Sequence, residues 1–402
     1  MIRQRLPQIL GALGILLLLL FPFIYGRSDY DFVMHLWITA FFYAILASSW
    51  SLLAGYAGQF SFGHMAFMAI GAYGSALYGN YVRITSAPTT LCTELALGSR
   101  WLVFINPTGV TQDSTNCLEL AKESILPKGT VIIQPSIWVG ILLGIVLGAV
   151  FGWLIGYLVL RLRSTYLALF TIGFSEILRA ALSAEINITQ GQAGLEMLPL
   201  FPRGLTLFGT VYGPADKLPT YYVMLFLFLI SMGIMLWLAA SRFGLFIRSI
   251  REDEEAAAAL GVNIVRYKVL VFTITATIAA AAGAVQGHYI GIITPNILII
   301  LQMSLVIAMA VIGGLENIVS AAIGAIIIQF ILELLRNSFD IGPYTIDMSI
   351  WRLVFFGLIL MLTLRFWRNG LIEPILQRFS RAGVAEETVA KRQAATTGGG
   401  GS

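Results

Sequence analysis

From Val269 to Leu315 the chain carries no aspartate, glutamate, lysine or arginine. A bilayer core is crossed by about 20 apolar residues, so this run is too long for one span. The turn-forming segment GIITPN (Gly291–Asn296) breaks it into two. The chain of 402 residues is 58% hydrophobic and 11% charged, where a soluble domain is about a quarter charged. Such a composition cannot cover a water-facing surface. The runs are continuous rather than alternating, which excludes a transmembrane β-barrel. The fold class expected is an all-α polytopic membrane protein.

Ten apolar stretches follow, at about 7–25, 33–53, 60–80, 136–159, 165–184, 220–240, 268–290, 299–314, 319–336 and 349–366. The first resembles a signal peptide, with Arg3 and Arg5 before a leucine run, but FPFIYGRSDYD lacks a small-residue cleavage site and reads as a retained span. Basic residues cluster at Arg3 and Arg5, at Arg161–Arg163, across Arg242–Lys268 and from Arg365 to Arg392. With ten spans all four clusters fall on one side, and the positive-inside rule places that side, with both termini, in the cytoplasm. The expected organisation is a permease-like membrane domain over 1–376, with an extracytoplasmic insertion at 81–135 and a cytoplasmic loop at 242–267. A cytoplasmic tail follows at 377–397, and 398–402 reads as an added linker.

The insertion holds both cysteines, Cys92 and Cys117. On the outer side a disulfide between them is the expectation, with two free thiols as the alternative. The span at 136–159 places Gly140, Gly144, Gly148, Gly152 and Gly156 four residues apart. That register lines one helix face with glycine and lets a neighbouring backbone approach closely. The stretch GYAGQFSFGHMAF (Gly55–Phe67) mixes glycines with Gln59, Ser61 and His64. Irregular backbone at membrane depth is tolerated where it is buried in protein or lines a cavity. These three, with Gln190 and Gln192 of an outer glycine-rich hairpin, are the candidate translocation-path residues; His64 also fits an interfacial hydrogen bond to backbone. Glu176 and Arg179 are one turn apart and can form an intramembrane ion pair. Glu333 and Arg336 repeat the spacing near an outer end, where interfacial solvation accounts for them.

No G-x-x-x-x-G-K-[ST] phosphate loop occurs, nor a metal cluster or a nucleophile–base pair, so no catalytic and no metal residue is assigned. Active transport would then need an engine elsewhere. SIREDEEAAAALGV (Ser249–Val262) bears on this. Ser249 and Glu252 match a capping box, acids suit a first turn, alanines favour helix and Gly261 is a natural stop. A short helix over Arg251–Leu260 is expected, either a solvated connector or a docking element.

The segment REDEEAAAALGV (Arg251–Val262) resembles the EAA-type loop of ABC-importer permeases, most closely the branched-chain amino acid permease family. GYAGQFSFGHMAF, RLRSTYLALFTIGFSEILR, ITPNILIILQMSLVIAMAVIGGL and WRLVFFGLILMLTLRFWRNGL agree in order with that family's blocks, over nearly the whole membrane portion. The resemblance implies a type II ABC-importer-permease-like subunit in the bacterial inner membrane. It implies a second, homologous permease (or a second copy), two ATP-binding subunits that use ATP and magnesium, and an extracytoplasmic binding protein. No cofactor bound by this chain and no nucleic acid are expected. Arg251, Glu252, Asp253, Glu255, Ala256, Ala257 and Gly261 are the implied residues of coupling to the ATPase. The solute implied is a branched-chain or related amino acid; urea, short amides, polar amino acids and sugars are alternatives, as is a stand-alone channel or secondary carrier. The chain departs from the family pattern at Asn369, at Leu315–Asn317, in the Gln190–Gly194 hairpin and in the long insertion.

Overall fold

The computed structural model describes residues 6–24, 30–85, 93–97, 100–104, 132–133, 136–159, 164–202, 204–207, 210–336, 339–341, 344–346, 348–367 and 370–374. Cys92, Cys117, Asn369 and the tail from 375 lie outside them. Helices overlie the apolar stretches: α1 (Leu6–Ile24), α2 (Tyr30–Trp50), α3 (His64–Tyr81), α4 (Ile137–Val159), α5 (Ser164–Ala184) and α6 (Lys217–Ala240). The cytoplasmic-loop region forms α7 (Arg242–Glu252) and α8 (Glu254–Ala259), followed by α9 (Ile264–Ile290), α10 (Ile300–Gly313), α11 (Ile318–Leu334) and α12 (Met348–Phe366). Among the described residues, five helices are long and apolar enough to cross a membrane: α2 with its extension to Tyr56, α4, α5 from Tyr166, α6 and α9. The pair α10 and α11 makes a sixth if it is one broken span.

That pair departs most from the expected layout, in which 299–314 and 319–336 are two separate spans. α10 and α11 meet at a bend of 118°, so the chain turns back across four residues. Gly314 takes a positive φ of 135° there. Asn317 then caps α11, its Oδ1 accepting from the N–H groups of Val319 (3.0 Å) and Ser320 (3.2 Å). The two helices close tightly because Gly313 and Gly324 face each other, a Cβ on either one colliding with backbone of the other side.

α2 and α9 form the centre, the first packed against α6, α9, α10 and α11, the second against α3 and α4. In lipid the hydrophobic effect does not drive helices together, so close van der Waals packing of small residues does. The glycine register of α4 meets that need. Gly140, Gly144, Gly148 and Gly152 are all buried. A Cβ on Gly152 would lie 2.6 Å from the Cβ of Ala276, and Gly144 packs directly on the carbonyl of Gly71. The opposite face of α4, with Trp138, Leu142, Val146, Val150 and Trp153, is exposed and apolar, as a lipid-facing surface must be. Pro22 in α1 has no N–H to give to the Leu18 carbonyl. The Tyr221 hydroxyl donates to that carbonyl instead, at 2.7 Å, tying α6 to α1.

On the side opposite α7 and α8 lie short strands. Val82–Thr85, Thr93–Leu97, Arg100–Phe104 and Ile132–Ile133 form a four-stranded antiparallel sheet within the insertion. Leu195–Glu196 pairs with Ile292–Ile293, joining the hairpin after α5 to the end of α9.

Candidate functional site

α7 is amphipathic and docks through Gly244, Ile247 and Ile250, which are buried. Its Arg248 guanidinium lies over the Tyr56 ring, 4.5 Å from the centroid. The helix stops at Asp253, whose backbone is extended (φ −155°, ψ 110°). Asp253 Oδ1 accepts from the N–H groups of Glu255 (2.9 Å) and Ala256 (3.0 Å), starting α8. The expected capping box at Ser249 is therefore not the start signal. Ser249 sits inside α7 and its hydroxyl donates to the Phe246 carbonyl at 2.8 Å. The physical reason is that α7's buried apolar face carries the helix on through Glu252, and Asp253 offers two orphan N–H groups a stronger acceptor. Arg251 and Glu252 thus end α7, and α8 covers only the later part of the helix expected over Arg251–Leu260.

α8 ends in a Schellman motif. Gly261 (φ 85°) donates its N–H to the Ala258 carbonyl at 2.9 Å, and Val262 to that of Ala257 at 3.1 Å. Of the helix and its flanks only Ala257 is buried; Glu255, Ala256, Gly261 and Leu260 are exposed, Leu260 to 85%. An isolated leucine this exposed beside a rigid turn presents an apolar anchor to whatever approaches.

The underside of the loop is braced twice. The Lys268 ammonium, itself buried, pairs with Glu254 and ties α8 to α9. The Arg251 guanidinium donates to the Gly55 carbonyl and pairs with Glu316. Gly55 belongs to a π-helical turn, Ser51–Tyr56, that extends α2. Glu316 sits in the bend between α10 and α11. The same bend is held by Ser51, whose hydroxyl donates to the Leu315 carbonyl at 2.7 Å, and Gly55 packs against that carbonyl with no room for a Cβ. Arg251 therefore faces inward, connecting the exposed loop to the α10–α11 bend. Sequence reasoning missed this brace. Its one visible signal was Glu316, an acid where the resembled family has small residues. A double-mutant cycle of Arg251→Ala and Glu316→Ala, read by thermal unfolding, is expected to give a coupling of about 0.5–1 kcal/mol, small because both groups are partly solvated. Strict additivity would show that the pair contributes nothing.

A cavity of about 360 Å³ lies among α2, α3, α9, α10, α11 and α12. Its polar lining comes from His35, Thr39, Tyr43, Gln286, Gln302, Gln329, Glu333, Arg336 and Arg352, and its apolar lining includes Phe42, Met65, Met68 and Leu305. Thr39 Oγ1 and Gln286 Oε1 are buried without a hydrogen-bond partner among the described residues. The Tyr43 hydroxyl is 3.4 Å from Gln302 Oε1, a long contact. Glu333 is buried and pairs at 3.0 Å with Arg336, whose side chain is exposed, so solvation reaches the arginine but not the carboxylate. A second cavity of about 340 Å³ lies beside Asp216, Lys217 and His288 and shares His35 with the first.

The path residues expected from sequence sit apart from this cavity. Gln59, Ser61 and His64 are buried at the turn between α2 and α3. The Ser61 carbonyl accepts from Trp50 Nε1 at 2.8 Å, and its hydroxyl oxygen from the Gly63 N–H at 3.1 Å. Gln59 Nε2 and Oε1 have no hydrogen-bond partner among the described residues. Gln190 adopts a left-handed conformation (φ 58°) and Gln192 Nε2 donates to the Ser183 hydroxyl at 2.8 Å, both in the outer hairpin. Arg179 and Glu176 are paired at 2.8 Å, half-exposed on α5.

A family model described as the permease component of a branched-chain amino acid transport system matches residues 32–364. The chain is 28% identical over 353 residues to the high-affinity branched-chain amino acid transport system permease protein LivM of Salmonella typhimurium, covering 82% of this chain and 70% of that one. It is 32% identical over 216 residues to the LivM protein of Escherichia coli K12, covering 48% of this chain and 51% of that one. To the permease protein LivH of E. coli K12 it is 30% identical over 156 residues, 38% of this chain and 50% of that one. No solved structure matches it. The match spans α2 to α12 and so includes the braced loop, the α10–α11 bend and the cavity: the chain belongs to the permease-component family of branched-chain amino acid transport systems.

Proposed function

We propose that this chain is the membrane subunit of an ATP-driven importer of branched-chain or related amino acids in the bacterial inner membrane. It pairs with a second, homologous permease, or with a copy of itself, to form the translocation path. Two ATP-binding subunits dock on its cytoplasmic loop and use ATP and magnesium; a soluble binding protein delivers the solute outside. Ten spans and cytoplasmic termini suit this arrangement, because they leave α8 on the basic, cytoplasmic side. The observation that carries the reading is α8 itself. It is capped at both ends, exposes Leu260, and is braced through Arg251 and Glu254 to helices that line the interior cavity. A solvated connector needs none of these features together. Glu252, Asp253, Glu255, Ala256, Ala257 and Gly261 shape or present the docking surface, and Arg251 transmits its movement.

Purification of the tagged chain from its native membrane is expected to retain an ATP-binding subunit. Recovery of the folded chain without one, under detergent conditions that keep a known importer assembled, would overturn the reading. The insertion at 81–135 is the face offered to the binding protein. Deleting Thr85 to Lys128 is expected to abolish uptake driven by the binding protein, and undiminished uptake would sink that assignment.

A further inference from the structure

Two cavities meet at one side-chain contact. The inner one, of about 360 Å³, and the outer one, of about 340 Å³ beside Asp216 and Lys217, are both lined by His35 and Ile290. There His35 of α2 and Tyr289 of α9 are hydrogen-bonded, Nδ1 to hydroxyl oxygen at 2.6 Å, with ring centroids 5.7 Å apart. We infer that this pair is a latch: closed, it bars the inner cavity from the outer one, and open, it joins them. The latch rests on the importer reading only for what passes it.

The residues one turn inward continue the route. Thr39 follows His35 by four residues and Gln286 precedes Tyr289 by three, so each shares a helix face with its latch neighbour. Both line the inner cavity, where Thr39 Oγ1 and Gln286 Oε1 are buried with no hydrogen-bond partner among the described residues. Unpaired polar atoms are costly in a protein interior, and water or a polar solute admitted past the latch satisfies them. The pair is also placed to respond to the cytoplasmic loop. Among the described residues it is the one side-chain hydrogen bond between α2 and α9. At their other ends the loop holds the same two helices. Arg251 donates to the Gly55 carbonyl on the extension of α2, and Glu254 pairs with Lys268 of α9. α9 has 27 residues, about 40 Å at 1.5 Å per residue, so a small change of angle at the loop is enlarged at the latch. His288, beside Tyr289, is bonded to the Ser75 hydroxyl (2.8 Å) and to the Leu198 carbonyl (2.6 Å). Those bonds tie that end of α9 to α3 and to the segment after α5. Opening therefore falls to α2 and to rotation of the Tyr289 side chain.

The complete importer in proteoliposomes, its outer face outward and without nucleotide, is the form to test. Gln329→Cys puts a thiol on the inner cavity, away from the latch. A trimethylammonium methanethiosulfonate, which does not cross lipid, is added outside, and labelling at position 329 is followed by peptide mass mapping. With the latch intact, labelling is expected to be slow. Tyr289→Phe keeps the ring and removes the hydroxyl; losing one hydrogen bond raises the open fraction, and with it the labelling rate, about fivefold. His35→Phe should do the same, and the two together no more than either alone, because they break one bond. Tyr222→Phe removes a different hydroxyl bond, from α6 to the Leu19 carbonyl of α1, and should leave the rate unchanged. Gln302→Cys reports from another wall of the same cavity if the first cysteine variant does not assemble. Fast labelling with the latch intact overturns the inference, as does a rate unmoved by Tyr289→Phe. Equal acceleration by Tyr222→Phe, or a double variant much faster than either single one, also overturns it. Leucine uptake is measured on the same vesicles after ATP is loaded inside. Uptake by the unsubstituted importer beside any of those results leaves the importer reading standing. No uptake, with the latch signature present, overturns the importer reading and leaves the latch.

Discussion

Leucine in place of Gly144 is expected to prevent the chain from reaching a stable, monodisperse state. A Cβ at position 144 would lie 2.2 Å from the carbonyl oxygen of Gly71 and 3.3 Å from its Cα. Gly71 cannot retreat, because its own far side packs on the backbone of Ala280 in α9. Gly74, one turn along α3, already sits 3.2 Å from the Gly144 Cα by the same measure. Three helices thus meet backbone to backbone, and any side chain wedges all of them. Overpacking a well-filled core costs about 1–3 kcal/mol where neighbours can adjust. Here the neighbours are main chain, so the upper end of that range applies. Small-residue contacts are also what hold helices together in lipid. Gly233→Leu is the matched control: it lies in α6, is exposed, and meets no atom within 4 Å. Fluorescence-detected size-exclusion and a thermal ramp should show aggregated or absent protein for Gly144→Leu and an unchanged profile for Gly233→Leu. Equal behaviour of the two would mean that the glycine face of α4 is not a packing seam.

Leu260→Asp is expected to leave the permease folded and to release its ATP-binding subunits. Leu260 is 85% exposed, so substitution removes almost no internal contact. Surface changes of this kind shift stability by about 0.5 kcal/mol or less. At an interface the effect differs in kind. An apolar anchor that fills a partner's groove is worth about 2 kcal/mol or more, and a charge put there must be desolvated without a partner. Subunit affinity should fall by about thirtyfold or more, since each 1.4 kcal/mol is about a factor of ten. Gly261 offers the companion test. Its Cβ direction is open, but its φ of 85° is costly for any L side chain by about 1–2 kcal/mol. A bulky residue there strains the Schellman turn that presents Leu260 and should also lower ATP-driven uptake. Unchanged uptake with either variant would remove α8 from the coupling role.

Much of the helical layout was legible in the sequence, because a membrane span must be long and apolar and a glycine every fourth residue can only line one face. The stop at Gly261 was legible for a similar reason, since a positive φ leaves little choice of residue. The start of the helix was misread. Ser249 fits a capping pattern locally, but the buried face of α7 outweighs it and moves the break to Asp253. The bend between α10 and α11 was visible only as the gap between two expected spans, 299–314 and 319–336. That a positive-φ Gly314 and the Asn317 cap would fold it by 118° is a matter of backbone angles that composition does not report. The cavity was the least visible feature. Thr39, Gln286, Gln302 and Gln329 are single polar residues scattered over four apolar helices, and nothing in their spacing says that they converge. A lone amide within a span is itself a signal that it faces protein or solute rather than lipid. The chain's pairing of Glu316 with Arg251 was hidden because the partners are far apart in sequence and only the folded bend brings them together.

The central claim is that this permease moves its solute only under an engine docked on α8. The most direct measurement is accumulation of L-leucine by proteoliposomes carrying the complete importer, with binding protein outside and ATP inside, against vesicles whose only change is Leu260→Asp. Accumulation against a gradient that requires both ATP and an intact Leu260 is the expected result. Equilibration of leucine by this chain alone, at the same rate with or without the ATP-binding subunits, would contradict it.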